Sequence, residues 1–598
     1  MSLTVTLGTA LTGLRVNQKA IEIASQNVAN ASTPGYSRQI VHREALTAGG
    51  LGAGVGMATI SRTVDDFLIR EIRTQSAALG ADTARSAYLS RTQDLFGSLA
   101  NNTSFTVRVT DLATRIGALV NEPESAARRL DLVQAAQSFA LAMTDATGSI
   151  QAMRRDADRE IDQSVRTLNE QLAQIDELNR QIVQHKALGR EPNELLDARD
   201  AAVAKVAELV DIQSFTRESG ETVLYTRSGK PLVDGRAHQF AYTPAPAVTV
   251  DTSFGEVLLD GAPLGGALQS GKLKALIELR DQTLPGLQAQ LDVLSEKVRD
   301  QVNLAHNRGT AVPAPDSLAG SRVFADVNAE RITISAPVRI AAVDAGGVIQ
   351  AHHDVPAGSY SIAELRDLVN ARMGGAITAT AGDGLGFGLT AAGGLGVAMV
   401  DLAPNGGDAT VTHTVDGATR EYRGLSNFLG LNDLFVTPGR SPGDERAGIA
   451  GSIGVHPAIM GDPARIAHGR LNDTPAPQAG TTLGVATGDA RALAGMASAL
   501  DARVAFGAVG GLPAFSGTVA EYATQILSAN AQQAAGASNR MDYQSAMLTD
   551  LSNRAANVSG VSIDEEMANL VAWQSAYAAS ARVVSVASEM LDILINLR

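Results

Sequence analysis

The sequence predicts a multidomain α+β protein with terminal coiled-coil helices, a long-helix bundle domain and inserted β-rich outer domains. Three observations predict it. Both ends carry heptad repeats of apolar residues, long helical periods flank the middle, and the middle is dense in glycine with strand-like alternation. A chain of 598 residues also exceeds what one hydrophobic core serves. The expected division is a terminal coiled-coil domain over 1–45 and 556–598, and a helical bundle domain over 60–211, 269–312 and 489–555. A small β region covers 212–268, and an inserted mixed β-rich outer domain covers 313–488.

At the N-terminal end, Leu7, Leu14, Ile21 and Val28 stand one heptad apart, with Leu11 on the flanking row. This spacing predicts a helix that ends near residue 30, because Thr33-Pro34-Gly35 follows. Proline disfavours helix at the residue before it, and Pro-Gly suits the centre of a type II turn. At the other end Ile563, Leu570, Tyr577, Val584 and Leu591 repeat every seven residues, with Met567, Ala581 and Ile595 as the expected companion row. Ser562 and Glu565 fit a capping box, and Asp564, Glu565 and Glu566 put negative charge at the positive end of the helix dipole. A helix from there to Leu597 runs roughly 50 Å, long enough to need a partner. The ends are complementary in charge, +3 over 1–43 and −3 over 561–598. Exposed ion pairs contribute roughly 0 to 1 kcal/mol each, so charge selects the partner more than it holds it. Closing a loop of more than 500 residues costs roughly 5 to 6 kcal/mol beyond a constant. The ends are therefore expected to order when copies assemble.

Between the ends, Ile161, Val165, Leu168, Leu172, Ile175 and Ile182, and then Leu284, Leu287, Leu291, Leu294, Val298 and Val302, carry the spacing of ordinary core helices. Thr518 with Glu521 opens a further helix through Leu551, and Ser361 with Glu364 opens a short one through Ala371. Segments such as Val223-Leu224-Tyr225 before Ser228-Gly229-Lys230-Pro231, and the alternation of Ile332, Ile334, Val338 and Ile340, read as strands.

Charge and composition narrow the function. A net charge of −14 and a pI near 5.2 argue against nucleic acid, whose binding depends on neutralising phosphates. Cysteine is absent, which removes disulfides and thiolate chemistry. The first residues lack the basic start and apolar core of a cleaved signal peptide, and no apolar run reaches the roughly 20 residues of a membrane span. No membrane insertion is expected. His352-His353-Asp354 has no companion cluster and reads as a turn without metal. Gly382-Asp383-Gly384-Leu385-Gly386-Phe387-Gly388 lacks the context of a phosphate loop and reads as a glycine-rich turn. Trp573 and Tyr577, four apart, read as helix packing. No enzyme and no cofactor are expected.

The segment Asn27-Val28-Ala29-Asn30-Ala31-Ser32-Thr33-Pro34-Gly35-Tyr36-Ser37-Arg38-Gln39 resembles the N-terminal signature of the flagellar rod, hook and hook-associated axial proteins. Asp564 to Leu570, Gln574 to Tyr577 and Ala579 to Val584 resemble that family's C-terminal signature. Leu195 to Asp200, Gly229 to Gly235 and Gly271 to Asn303 look like its hook-associated members, whereas roughly 315–485 resembles nothing identified. The resemblance implies a structural role at the junction of hook and filament, with subunits forming a ring through their terminal helices. It makes Asn30, Thr33, Pro34, Gly35 and Tyr36 the family's signature turn. Its implied partners are further copies of the chain, the hook protein, a second hook-associated protein on the filament side, a cytoplasmic export chaperone and the flagellar type III apparatus. The implied location is the bacterial flagellum, reached by export without a cleaved signal peptide. The hook subunit of the same family, and an insertion that acts as an adhesin, stay open as alternatives.

Overall fold

A computed structural model describes residues 3–33, 35–48, 51–97, 104–415, 418–438 and 447–596. The chain opens with a long helix, α1 (Leu3–Asn30), and turns into an antiparallel hairpin, β1 (Gln39–Ala48) and β2 (Leu51–Arg62). Four helices follow: α2 (Asp66–Phe96), α3 (Phe105–Asn121), α4 (Ala126–Ala187) and α5 (Asn193–Leu209). At 62 residues α4 is about 93 Å long and runs the whole length of the bundle. Two small antiparallel sheets come next. One holds β3 (Ile212–Thr216), β4 (Thr222–Thr226) and β5 (Pro231–Val233), and the other β6 (Phe240–Ala241), β7 (Leu258–Leu259) and β8 (Ala262–Pro263). Helices α6 (Lys272–Glu278) and α7 (Leu284–Asn307) return to the bundle, joined by a π-helical turn at Leu279–Thr283. In that turn Arg280 reaches the fully buried Asp158 of α4 at 3.0 Å.

The outer insertion folds as three antiparallel sheets around α8 (Ile362–Arg372) and α9 (Leu425–Leu429). Its strands are β9 (Ser317–Phe324), β10 (Arg331–Ile334), β11 (Val338–Val343), β12 (Ile349–Val355), β13 (Gly358–Ser361), β14 (Ile377–Thr380), β15 (Leu385–Ala391), β16 (Gly396–Asp401), β17 (Thr410–Val415) and β18 (Ala418–Arg423). The sheet orders are β13-β10-β17-β18, β12-β11-β16 and β14-β15-β9. Ser361 and Glu364 form the reciprocal cap of α8 that their spacing predicts. His352, His353 and Asp354 lie on β12 rather than in a turn, and Asp354 accepts two bonds, 2.8 and 2.9 Å, from the buried guanidinium of Arg339. Gly382 to Gly384 turn into β15, where Asp383 accepts a hydrogen bond from the Val327 amide.

The chain then comes back through α10 (Pro457–Gly461), α11 (Arg491–Asp501), α12 (Val519–Ser559) and α13 (Ile563–Asn596). Thr518 and Glu521 cap α12 reciprocally. Leu597, the expected last turn of the C-terminal helix, lies outside the described residues.

Two large apolar cores are separate. The first joins α2 to α7, α11, α12 and the small sheets; all six residues of the α7 seam and Ile161, Val165, Leu168, Leu172 and Ile175 of the α4 seam sit in it, Ile182 is buried outside it, and all twelve are 4 % exposed or less. The second fills the outer insertion, from Phe324 to Leu431. The expected boundaries shift in two places. Leu434, Phe435, Ala450, Ile453, Val455, Ile459 and Ile466 belong to the bundle's core, although they lie inside the expected insertion at 313–488. The hairpin at 39–62 also crosses the gap left between 45 and 60. It was hidden because glycines at 52, 54 and 56 break its alternation and Ile60 is its one buried apolar side chain among the described residues.

Candidate assembly interface

Helices α1 and α13 pair antiparallel: Asn27 meets Glu566 at one end, and a methyl group built on Gly13 would sit 3.5 Å from Ser580 Oγ further along. Their substantial contacts are with each other and, for α1, with the hairpin. In α1 the buried row is not the large apolar one. Ala10, Asn17, Ala20, Ala24 and Asn27 are buried at heptad spacing, while Leu7, Leu14, Ile21 and Val28 flank this row and stay half-buried. Small residues on the contact row let two helix backbones approach closely, so the larger side chains are displaced to the groove edge. Val16 and Ile23 are also buried. Near them the hairpin comes so close that a methyl group on Gly54 would meet Thr12 Oγ1 at 2.3 Å, and Gly54 itself holds φ at +125°.

In α13, Leu570, Tyr577, Val584 and Leu591 are half-buried, but Ile563 is 52 % exposed. The companion row differs from the one expected. Met567 is 47 % and Ile595 69 % exposed, Ala581 is half-buried, and the row completing the 3-4 spacing is Glu566, Trp573, Ser580 and Ala587. This row carries no run of large aliphatic residues: Glu566 and Ser580 are polar, Ala587 is small, and Trp573 is its one large apolar member. Among the described residues of α13, Glu566 and Ala587 are the two that are buried. An apolar row points away from α1: Val583, Val586, Met590 and Ile593, spaced 3-4-3, are 44 to 60 % exposed.

A polar node locks the α1 end of this pair. Asn27 uses its whole amide: its Nδ2 donates to Gln39 O at 2.9 Å and Glu566 Oε2 at 3.1 Å, and its Oδ1 accepts from Tyr36 Oη at 2.9 Å and Gln39 N at 3.1 Å. Arg38 pairs with Glu566 at 2.8 Å and with Glu565 at 2.9 Å, and its amide donates to Ser559 O at 2.9 Å. Glu566 is 5 % exposed, so its charge depends on Arg38 and Asn27 for compensation. The Glu565 carboxylate is thus drawn to Arg38, while the Ser562 hydroxyl accepts from the Glu565 amide at 3.4 Å. Burial, then the charges of Asp197, Glu194 and Glu566, push the Tyr36 phenol up to about 12, which keeps it a donor at any physiological pH. The Arg43 guanidinium lies 4.2 Å over the Trp573 ring, so Trp573 also serves as a cation platform.

The signature turn enters this node directly. Tyr36 N donates to Thr33 O at 3.2 Å and Gly35 has φ of +82°, the third-position value of a type II turn, while Thr33 Oγ1 donates to Asn30 Oδ1 at 3.2 Å. Pro34 lies outside the described residues. The turn is then fixed to the bundle: Ser37 N donates to Asp197 Oδ2 at 3.2 Å, and Asn193 Nδ2 to Gln39 Oε1 at 3.1 Å. The roles of Asn27 and Gln39 are not legible in the sequence, although both stand inside the signature segment; Arg38 and Glu566 are among the complementary charges of the two ends, and the structure pairs them with each other.

Among the described residues no group of His, Cys, Asp and Glu is arranged to hold a metal ion, and no helix is long and apolar enough to cross a membrane. Three family models match the chain: the flagellar hook-associated protein FlgK helical domain over 89–324, the flagellar basal body rod FlgEFG protein C-terminal over 553–597, and the flagella basal body rod protein over 7–36. Flagellar hook-associated protein 1 of Escherichia coli strain K12 is 24 % identical, covering 99 % of both chains. Its Salmonella typhimurium counterpart is 25 % identical over 98 % of this chain and 99 % of its own. The Bacillus subtilis protein of that name is 28 % identical over 37 % of this chain and 46 % of its own. The solved flagellar hook junction protein FlgK from Burkholderia pseudomallei, 16 % identical, aligns with a TM-score of 0.46 over 82 % of this chain and all of that one. Matches to axial-protein models at the two ends, a hook-associated helical-domain model between them and full-length likeness to flagellar hook-associated protein 1 together make this chain similar to that protein from end to end.

Proposed function

We propose that the chain is a non-catalytic structural subunit of the bacterial flagellum that joins hook to filament, assembling as a ring of copies through its paired terminal helices. The observation that carries the assembly mode is the row Val583, Val586, Met590 and Ile593. It repeats at coiled-coil spacing, yet faces away from the helix that α13 already has. A single buried side chain of this size contributes about 1.5 to 3 kcal/mol, so a neighbouring copy that covers four of them gains enough to drive association. Further copies meet one another laterally, while hook protein and a second hook-associated protein meet the two ends of the ring. Export proceeds through the flagellar type III apparatus, helped by a cytoplasmic chaperone and without a cleaved signal peptide.

The test substitutes Val586→Asp and Ile593→Asp on the exposed row. The account expects soluble, normally helical protein that fails to enter flagella, leaving cells non-motile. Normal motility with both substitutions would sink the assembly mode. Immunogold labelling tests the location separately: a label confined to the distal end of the hook supports the junction, and a label along the whole hook supports a hook subunit.

A further inference from the structure

Sulfur occurs in this chain as methionine alone, because cysteine is absent. A thiolate takes an aqueous oxidant ahead of a thioether, and here no thiolate competes. Of the described methionines, Met143, Met153, Met373, Met399 and Met496 are buried, at 6 % exposure or less. Met541 and Met547 on α12 are half-buried. Four stand open: Met57 on β2 at 44 %, Met460 on α10 at 42 %, and Met567 and Met590 on α13 at 47 and 50 %. An oxidant in solution reaches these four first.

Their settings differ. Met57 lies on the hairpin, Met460 on a short helix of the returning chain, and Met567 beside the buried Glu566. Met590 alone stands within the exposed apolar row, four residues after Val586 and three before Ile593. Val583, Val586 and Ile593 are hydrocarbon and resist mild oxidants. Met590 is therefore the one position at which a single added oxygen changes the character of that face. Its unbranched, polarisable side chain suits an apolar contact in the reduced state and becomes polar and chiral in the oxidised one.

We propose that Met590 is an oxidative modification site that decides whether a copy of the chain enters the ring, an inference that rests on the assembly mode proposed above. The co-reactant is a hydroperoxide. The thioether sulfur attacks the terminal peroxide oxygen, an S–O bond forms as the O–O bond breaks, and the remaining oxygen leaves with the proton as water or an alcohol. Sulfur is oxidised by two electrons and the peroxide reduced by two. The sulfoxide oxygen is a strong acceptor, and the four side chains of the row offer it no donor. A neighbouring copy that covers the row buries this oxygen uncompensated, which opposes association. Conversely, a copy already covered by its neighbour shields Met590 from the oxidant. Entry and oxidation thus exclude each other, and enzymatic reduction of the sulfoxide restores the competent face.

The test needs no substitution. Full-length chain is partly oxidised with dilute hydrogen peroxide and offered to isolated hooks from cells that lack it. Bound and unbound chains are then separated, and peptide mass spectrometry reads the sulfoxide fraction at each methionine. Sulfoxide at Met590 should be depleted in the bound chains by about tenfold, the equivalent of one uncompensated buried polar group. Sulfoxide at Met57 and Met460 should divide equally between the two fractions. Treatment with methionine sulfoxide reductase should return the unbound chains to binding, and circular dichroism of the oxidised pool should match that of untreated chain. Equal sulfoxide at Met590 in both fractions, failure of the reductase to restore binding, or loss of helix on oxidation overturns the proposal. Untreated chain that does not bind hooks at all contradicts the assembly mode itself, an outcome distinct from binding that ignores the state of Met590.

Discussion

The bundle helices α4 and α7 and the terminal helices α1 and α13 are all written in heptads, yet they end in opposite circumstances. The Leu, Ile and Val rows of α4 and α7 are buried within a single chain, all but Ile182 in one core. The corresponding rows of α1 stay half-buried, and α13 keeps a complete apolar row in solvent. Period alone therefore states that a helix has a partner and leaves open which molecule supplies it. The composition of the contact row is the better guide. Where the cis contact is made by Ala10, Gly13, Asn17, Ala20, Ala24 and Asn27, the large residues are released for another purpose.

The comparison can be broken most sharply in the bundle. Leu168→Ala or Leu291→Ala empties a fully buried site and should cost about 2 to 5 kcal/mol, read as a lowered midpoint in denaturant unfolding of the whole helical domain. A loss below about 1 kcal/mol would mean that the bundle core is as loose as the ends. Next in size is Arg38→Ala, which leaves the Glu566 carboxylate buried without its cation. It should cost about 3 kcal/mol locally, seen as faster hydrogen exchange in α1 and at the start of α13 with the bundle unchanged. Smaller still is Ile593→Ala. In the lone chain it should change stability by less than about 0.5 kcal/mol, because the side chain is 60 % exposed, while weakening self-association measurably by sedimentation.

The two ends and the bundle differ also in how much of them the sequence disclosed. Reciprocal caps at Ser361 with Glu364 and Thr518 with Glu521, and the interior seams, were legible because each rests on local spacing. The helix stop before residue 31 was legible for the same reason: Pro-Gly chemistry acts on its own neighbours. Contacts across hundreds of residues were not. Nothing in the spacing of Asn27 announces that it binds Glu566, 539 positions away, or that Asp197 will receive the signature turn. The return of 434–466 to the bundle core was hidden for the same reason, since its short apolar runs resemble those of the insertion around it.

The contact between insertion and bundle forms a third case, with the smallest expected effect. At the end of α7 the His306 ring donates from Nδ1 to Asn432 O at 2.6 Å and accepts the Ala467 amide at Nε2 at 2.9 Å, so it must be neutral, and burial lowers its pKa to about 4. Beside it Asp433, held by Ser321 and Asn307, is pushed up to about 6 by burial. The signs oppose. As pH falls from 6.5 to about 4 the unfolded chain gains a proton at His306 that the folded chain refuses, which lowers stability. From about 6 down to 3.8 the folded chain takes up a proton at Asp433 ahead of the unfolded one, which raises it. For these two groups the pH dependence should nearly cancel, whereas His306→Asn should leave stability rising toward acid and Asp433→Asn should leave it falling. Unfolding midpoints between pH 4 and 7 check this, and equal slopes in the two variants would refute it.

The central claim is that the terminal pair is only half-built in one chain and is completed by its neighbours. Hydrogen exchange on the lone chain tests it most directly. The account predicts that amides of 3–30 and 563–596 exchange orders of magnitude faster than those of 161–182 and 284–302, and slow down once copies associate. Protection of the ends equal to that of the bundle in the lone chain would contradict it.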